Sequence, residues 1–150
     1  MSTMSLHEAL QRAHHELNAN TTEFAQGLVD SVLAQDPNNY DAIFLSGRIY
    51  ANHAQWSEAI DSYGRCVALQ SLRSDAYINL VDVYLRIGQA HRAIELVSNA
   101  PDSVRSDPVL LTNLGMAYLK VGDNLEAIAS LERAIKLNDD IVQSWSLLAR

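Results

Sequence analysis

Five histidines are the side chains of this chain best suited to acid–base or metal chemistry near neutral pH. They are His7, His14, His15, His53 and His91. His7 and His14 can share one face of a helix, but they lack the i, i+4 spacing of a zinc-binding pair, and no acidic ligand accompanies them. The pattern favours histidines on the surface or in a groove, and it predicts no metal site.

Other reactive patterns are missing as well. The sequence has no Gly-x-Gly-x-x-Gly segment, no phosphate-binding Gly-x4-Gly-Lys loop and no Gly-x-Ser-x-Gly turn. Cys66 is the single cysteine, so no internal disulfide can form, and a buried, inert thiol is expected. Carboxylates are expected on helix exteriors, where i, i+4 spacing predicts two stabilising pairs, Asp61/Arg65 and Glu132/Lys136. We therefore predict no catalytic residue and no cofactor within these 150 residues.

Composition indicates a folded, acidic protein. Hydrophobic residues make up 48%, charged residues 19%, and the net charge is -7. No cluster of Lys and Arg could follow a phosphate backbone, which argues against nucleic acid. The N-terminus lacks the pattern of a secretory signal, and no apolar stretch approaches the ~20 residues of a membrane span. We expect a cytoplasmic protein that does not bind membranes, and we interpret the sequon at Asn20 as chance.

The elements that must position these side chains repeat every 34 residues. The recurring residues are Ala25, Ala59, Ala93 and Ala127, then Tyr50, Tyr84 and Tyr118, then Ile60, Ile94 and Ile128. Within each repeat, apolar residues recur three and four apart, which predicts two amphipathic helices. This period is typical of stacked helical hairpins, each too small to bury its apolar face alone.

Residues 108–141 resemble the tetratricopeptide repeat family most clearly. The family pattern is W-x2-L-G-x2-Y followed by A-x3-F, and the matching residues here are Leu111, Leu114, Gly115, Tyr118, Ala127 and Leu131. Residues 74–107 and 40–73 repeat the pattern in register, a degenerate unit occupies 6–39, and a partial unit occupies 142–150. The resemblance implies an all-α fold, a right-handed α-solenoid of antiparallel helix hairpins, with residues 1–150 as a single domain.

The helix boundaries follow from the repeat and from the residues that typically start or end a helix. Helices are predicted at 5–18, 22–35, 40–53, 56–70, 74–87, 90–100, 108–121, 124–137 and 141–150. Gly88 and Gly122 suit the left-handed backbone that ends a helix, whereas Ala54 stands where that glycine is expected. Asp107-Pro108 is a favourable helix start, and Asp123-x-x-Glu126 resembles a capping box. Pro101 should end the sixth helix early, and the path of residues 102–107 is left open.

The last segment predicts an uncovered apolar face. Trp145 and Leu148 would pack back on the preceding repeat and leave the next face bare, whereas solenoids normally end in a polar cap. We interpret the chain as the N-terminal part of a longer protein. The alternative is that Trp145 and Leu148 associate with a second copy or a partner.

The resemblance also implies a peptide-binding groove along the first helix of each repeat. By position, its principal residues are Phe44, Arg48, Asp75, Asn79, Asp82, Arg86, Asn113, Met116 and Lys120. Beside them stand Asp41, Leu45, Asn52, Ile78, Val109 and Thr112. Some peptide-binding members of the family use a ladder of asparagines, and Asn79 and Asn113 are candidates because a side-chain amide both donates and accepts. Solvated, idle asparagines are the alternative, and Leu45 interrupts the series.

The carboxylate clamp of co-chaperone family members requires lysines that this chain lacks, so binding of a chaperone tail is not expected. Arg48, Arg86 and Lys120 can still pair with acidic groups of a ligand. Three functions remain open. The chain is a protein-interaction module for an extended segment of a partner protein, a recruiting arm of a larger enzyme such as a glycosyltransferase, sulfotransferase or methyltransferase, or a self-assembly scaffold.

Overall fold

The computed structural model describes residues 4–138 together with Leu147 and Ala149. Over this part of the chain it contains nine α-helices and no β-strand. They are α1 Leu6–Asn18, α2 Thr22–Gln35, α3 Tyr40–Asn52, α4 Trp56–Leu69, α5 Ser74–Arg86, α6 Ala90–Ser98, α7 Asp102–Arg105, α8 Pro108–Val121 and α9 Asn124–Leu137. The predicted helix ends agree to within two residues, except that α7 was not predicted. The helix predicted at 141–150 lies outside the continuously described residues.

The chain divides into two compact units, Met1–Gln70 and Ser71–Arg150. In unit 1, α1 pairs with α2 and α3 pairs with α4, and α3 also packs against the first hairpin. In unit 2, α5 pairs with α6 and α8 pairs with α9, and α8 packs against both α5 and α6. Each unit is therefore a stack of two hairpins, which buries apolar surface that one hairpin would leave exposed.

Complementary side-chain sizes let the two helices of a hairpin approach closely. Gly47 on α3 faces Tyr63 on α4, and a Cβ added at Gly47 would lie 2.7 Å from the Tyr63 ring. Gly115 on α8 faces Leu131 on α9, and an added Cβ would lie 2.7 Å from Leu131 Cγ. Tyr63 and Leu131 are each only 1% exposed. The glycine thus leaves room for the large side chain of the opposite helix.

The other two hairpins fill the same positions with alanine or valine. In the α1–α2 hairpin the equivalent residues are Ala13 and Val29, and in the α5–α6 hairpin they are Val81 and Val97. All four are buried, with exposures of 1% or less. The two facing residues at each helix crossing therefore differ between hairpins, but their combined volume stays similar, as close packing requires.

The turn inside every hairpin uses the same left-handed backbone conformation. The residues at this position are Asn20, Ala54, Gly88 and Gly122, with φ of 65°, 55°, 75° and 83°. The predicted role of the two glycines is confirmed. Ala54 adopts the glycine conformation despite its Cβ, which places a strained residue in the α3–α4 turn.

Helix starts separate into capped and uncapped ones. Asp107 accepts hydrogen bonds from the backbone N–H groups of Val109 (2.9 Å) and Leu110 (3.1 Å), so the predicted start at Asp107 is confirmed. The predicted capping box of Asp123 with Glu126 is wrong, because the Asp123 side chain forms no capping hydrogen bond. The ψ of Asp123 is 76°, which differs from the extended backbone conformation in which an N-cap side chain reaches the N–H groups of the first helical turn.

The segment that the sequence left open contains the short helix α7. Helix α6 ends at Ser98, as Pro101 predicted, and Pro101 then precedes α7. Val104 on α7 is 1% exposed, and α7 packs against α8. The extra turn therefore adds an apolar anchor between two repeats of unit 2.

Candidate binding faces

The predicted groove residues lie on the first helices of the hairpins. Phe44 and Arg48 are on α3 of unit 1, and the remaining predicted residues are on α5 and α8 of unit 2. Within unit 1, α3 lies against α1, and within unit 2, α5 lies against α8. Each unit thus presents a face built from two first helices, which we call the α1–α3 face and the α5–α8 face.

Both predicted residues of the α1–α3 face have partners within unit 1. The Phe44 ring stacks on Tyr40, with centroids 6.3 Å apart, and meets Tyr63 edge-on at 5.6 Å. Arg48 donates to Nδ1 of His14 and to Oδ1 of Asn18, both at 3.1 Å. Since both acceptors are on α1, Arg48 ties α3 to α1. A ligand must compete with these contacts, so this face is the less available of the two.

The two asparagines of the α5–α8 face differ in their hydrogen bonds. Asn79 Nδ2 donates to the backbone oxygen of Asp75 at 2.9 Å, which turns the side chain back on its own helix. Asn113 forms no side-chain hydrogen bond with the described residues. Both side chains are half-buried. Asn113 therefore has its donor and its acceptor available, and Asn79 retains its oxygen and one N–H.

Charged residues of the α5–α8 face are partly paired already. Asp82 and Arg86 form an ion pair at 2.7 Å with both side chains more than half exposed. The hydrogen bond from Arg86 to Asp82, and then the charge of Asp82, raise the pKa of Arg86 above its ordinary value. Asp75 pairs with Arg73 at 2.7 Å. Lys120 is exposed at the end of α8, where its ammonium group can meet an acidic ligand.

Two neighbouring positions of the predicted groove are not on its surface. Leu45 is 5% exposed and belongs to the core shared by α1, α2 and α3. Thr112 is 2% exposed and donates to the backbone oxygen of Pro108 at 3.0 Å. These two predictions are wrong because both side chains are buried where the helices pack. Trp145 and Leu148, the predicted self-association residues, lie outside the described residues.

The second helices form grooves that the sequence analysis did not anticipate. In unit 1 a groove of about 450 Å³ lies between α2 and α4 over α3, and we call it the α2–α4 groove. In unit 2 a groove of about 330 Å³ lies between α6 and α9 over α8, and we call it the α6–α9 groove. Their linings are equivalent, two repeats apart: Ile43 corresponds to Leu111, and Tyr50 to Tyr118.

The expected ion pair of Asp61 with Arg65 does not form, although both residues line the α2–α4 groove. Arg65 instead donates to the backbone oxygen of Pro37 at 3.1 Å. The sequence does contain a pattern that indicates this groove. Polar residues are spaced three and four apart along one face of α4: Glu58, Asp61, Ser62 and Arg65.

Two further observations bound the chemistry of the described residues. Nowhere in that part of the chain do three His, Cys, Asp or Glu side chains come together as a metal site requires. No helix within it combines the length and the apolar character needed to cross a bilayer. Cys66 is fully buried, as predicted.

Known proteins resemble this chain in sequence and in fold. Residues 109–141 match the family described as tetratricopeptide repeat. The photosystem I assembly protein Ycf3 of Prochlorococcus marinus is 26% identical over 133 residues, covering 86% of this chain and 77% of that protein. The beta-barrel assembly-enhancing protease of Escherichia coli is 40% identical over 75 residues, covering 49% of this chain and 15% of that protein.

Among solved structures, the MamA protein has a TM-score of 0.77 and 21% identity to this chain, covering 90% of it and 74% of MamA. This similarity confirms the predicted all-α solenoid of helix hairpins.

Proposed function

We propose that this chain, whose residues 109–141 match the tetratricopeptide repeat family, is a non-catalytic module that binds an extended segment of a partner protein on its α5–α8 face. The observation that carries the proposal is the pair Asn79 and Asn113, half-buried at equivalent positions on two adjacent helices. A cytoplasmic location and a single domain over residues 1–150 are parts of the same proposal.

The backbone of an extended peptide fits the hydrogen-bonding groups of this face. Each peptide unit offers one N–H and one C=O, and an asparagine amide can satisfy both. Asn113 supplies the complete set, whereas Asn79 supplies its oxygen and one N–H because its other N–H is bound to Asp75. Two or three such hydrogen bonds, each contributing about 0.5–1.5 kcal/mol, would hold the backbone without reading its sequence.

Sequence preference would come from the charges beside the asparagines. Lys120 is exposed, and Arg86 can exchange Asp82 for a carboxylate of the ligand. Because both groups remain in contact with water, they would change the association rate and the choice of partner more than the affinity. A segment with acidic residues is therefore the preferred ligand of this face.

The experiment is a selection of random peptides on the full chain, followed by affinity measurements on variants. Asn79→Ala with Asn113→Ala should weaken the selected peptides about tenfold, since two or more hydrogen bonds are lost. The matched control is Asn99→Ala with Asn124→Ala, which removes two exposed asparagines of unit 2 outside the face and should leave affinity unchanged.

A second substitution separates the face from the ladder. Met116→Arg introduces a bulky charge at a half-buried position of the same face and should abolish binding. If Met116→Arg blocks binding while the asparagine variant does not, the face is correct and the ladder is wrong. If neither variant changes affinity, the proposed function of this face is overturned.

The enzyme-arm function remains a second candidate because of one comparison. The matching segment of the Escherichia coli protease is 15% of that protein, so a similar sequence forms a small part of a larger enzyme. The intact mass of the native gene product, compared with the 16.6 kDa of this chain, distinguishes the candidates. A much larger mass favours the arm of a longer protein, and an equal mass favours a free-standing module. A scaffold built through Trp145 and Leu148 would instead show a mass in solution that rises with concentration.

A further inference from the structure

The α2–α4 groove has polar walls and a partly apolar floor. Asp30 and Gln26 on α2 face Glu58 and Asp61 on α4, and the floor includes Ile43 together with other side chains of α3. Its volume of about 450 Å³ is at the small end of the range of ligand pockets, roughly 300–1,000 Å³. The groove therefore suits one or two side chains of a partner rather than a folded element.

Negative charge in this groove is not neutralised within unit 1. Asp30, Glu58 and Asp61 form no ion pair with any described residue. Asp30 accepts one hydrogen bond from Gln26 at 2.6 Å, which is a neutral donor. The single guanidinium group in the lining, Arg65, is bound to the carbonyl of Pro37. Three carboxylates thus face one guanidinium group that is already engaged elsewhere.

One hydroxyl group in the lining of this groove reaches solvent and is not hydrogen-bonded to the described residues. Ser62 lines the groove, is only 6% exposed, and forms no side-chain hydrogen bond with the described residues. By contrast, Ser46 in the same lining donates to the backbone oxygen of Ala42 at 3.1 Å. Ser62 is therefore an acceptor and donor available to a group that enters the groove.

The equivalent groove of unit 2 has the opposite charge. In the α6–α9 groove, Asp30 is replaced by Ser98 and Asp61 by Ala129, and two guanidinium groups, Arg105 and Arg133, face one carboxylate. The acidic character is therefore a property of one groove and does not follow from the repeat itself.

From these observations we infer that the α2–α4 groove is a second binding site, which takes an arginine side chain of a partner protein. Either oxygen of one carboxylate can accept an N–H of a guanidinium group, whose fork of donors matches such a pair of oxygens, and Ser62 can accept a further N–H. Tyr50 and Leu33 offer apolar surface to the methylene stem. The inference depends on the proposed function only in taking the occupant to be part of a protein.

The test uses the full chain and a labelled pentapeptide with a central arginine between two leucines. NMR mapping at millimolar peptide should shift backbone amide signals of α2 and α4, and not those of α6 and α9. The same peptide with citrulline, which keeps the shape of arginine without its charge, should bind roughly tenfold more weakly. Affinity should also fall as salt is added, because exposed charges are screened.

The matched variants change charge equally in two places. Asp30→Ser with Asp61→Ala introduces side chains of the type that unit 2 carries at these positions, so the fold should tolerate them, and should weaken the arginine peptide about tenfold. Glu95→Gln with Glu132→Gln removes two exposed carboxylates of α6 and α9 outside both grooves and should change affinity by less than about twofold.

Three results would overturn the inference: no binding of the arginine peptide at millimolar concentration, equal binding of the citrulline peptide, or equal binding by the Asp30→Ser/Asp61→Ala variant. None of them bears on the α5–α8 face, because these substitutions lie in unit 1 and the asparagine variants lie in unit 2. If the Asn79→Ala/Asn113→Ala variant loses the selected peptides but still binds the arginine peptide, the inference about the α2–α4 groove is unaffected.

Discussion

The hairpins α3–α4 and α8–α9 occupy equivalent positions two repeats apart, and they differ in three ways. At the helix crossing, Gly47 faces the flat ring of Tyr63, whereas Gly115 faces the branched side chain of Leu131. In the turn, one hairpin has Ala54 and the other Gly122. In the groove above the floor helix, Asp61 of one hairpin corresponds to Ala129 of the other.

These differences separate what the repeat must keep from what it is free to change. The crossing keeps a small residue against a large one, and the turn keeps its left-handed backbone even where alanine makes it costly. The groove keeps its place between the second helices and reverses its charge, because surface side chains contribute little to the packing of the hairpin. Function can therefore diverge between units without a change of fold.

The largest effect is expected from overfilling the two crossings. Gly47→Ala and Gly115→Ala should each lower the free energy of unfolding by about 1–3 kcal/mol, since the added Cβ would lie 2.7 Å from the opposite side chain. Urea denaturation measures the loss. The control is Gly64→Ala in α4, where a Cβ meets nothing within 4 Å, so stability should rise by up to about 1 kcal/mol.

Restoring the size balance sharpens this comparison. Gly47→Val with Tyr63→Val copies the Val81 and Val97 pair of unit 2 into unit 1. The double variant should be more stable than Gly47→Val alone, which a double-mutant cycle would show as a favourable coupling. Additive losses would mean that the pair is not compensating in size.

A smaller effect is expected from exchanging the turn residues. Ala54→Gly should stabilise the protein by up to about 1 kcal/mol, and Gly122→Ala should destabilise it by about the same amount, because φ is positive at both positions. Thermal unfolding of the two variants provides the measurement. The same sign for both substitutions would contradict a role for backbone strain in this turn.

The smallest effect concerns the stability at alkaline pH that depends on Tyr118 of the α8–α9 hairpin. Burial, and then the charges of Glu126 and Asp123, raise the pKa of Tyr118 above its ordinary value. The folded state holds this proton more tightly than the unfolded chain. The protonated Tyr118 therefore contributes its full stabilisation below the pKa of tyrosine in the unfolded chain, about 10, and this stabilisation is lost as pH rises through the raised pKa of the folded state.

Tyr118→Phe should therefore reduce the loss of stability above about pH 10, measured by urea denaturation at several pH values. Glu126→Gln removes one cause of the shift and should move the spectrophotometric titration of Tyr118 toward lower pH. An alkaline stability profile identical in Tyr118→Phe and the wild type would refute the assignment.

The sequence predicted those features that depend on residues close together in the chain. Helix ends, the turns at Gly88 and Gly122, and the start at Asp107 all follow from local backbone preferences. It did not predict α7, because four helical residues after a proline carry too little periodicity to be distinguished from a loop.

Contacts between repeats were harder to predict, and the candidate sites depend on them. Arg65 satisfies the carbonyl of Pro37, 28 positions away, instead of its expected partner Asp61. Arg48 bonds to His14, 34 positions away, although its place in the register suggested a free groove residue. The resemblance to a family supplied the correct helices for a binding face, but the partners already held by each side chain could be known only from the structure.

The local nature of the crossings has a consequence for how the chain is made. Tyr63 lies 16 positions after Gly47, and the core cluster shared by α1, α2 and α3 is complete by Ile49. Such short separations give a low contact order, which favours rapid folding because little loop entropy is lost before a contact forms. During synthesis, the first pair of helices can pack together before the rest of the chain has been translated. Nascent unit 1 then exposes little apolar surface that could cause aggregation.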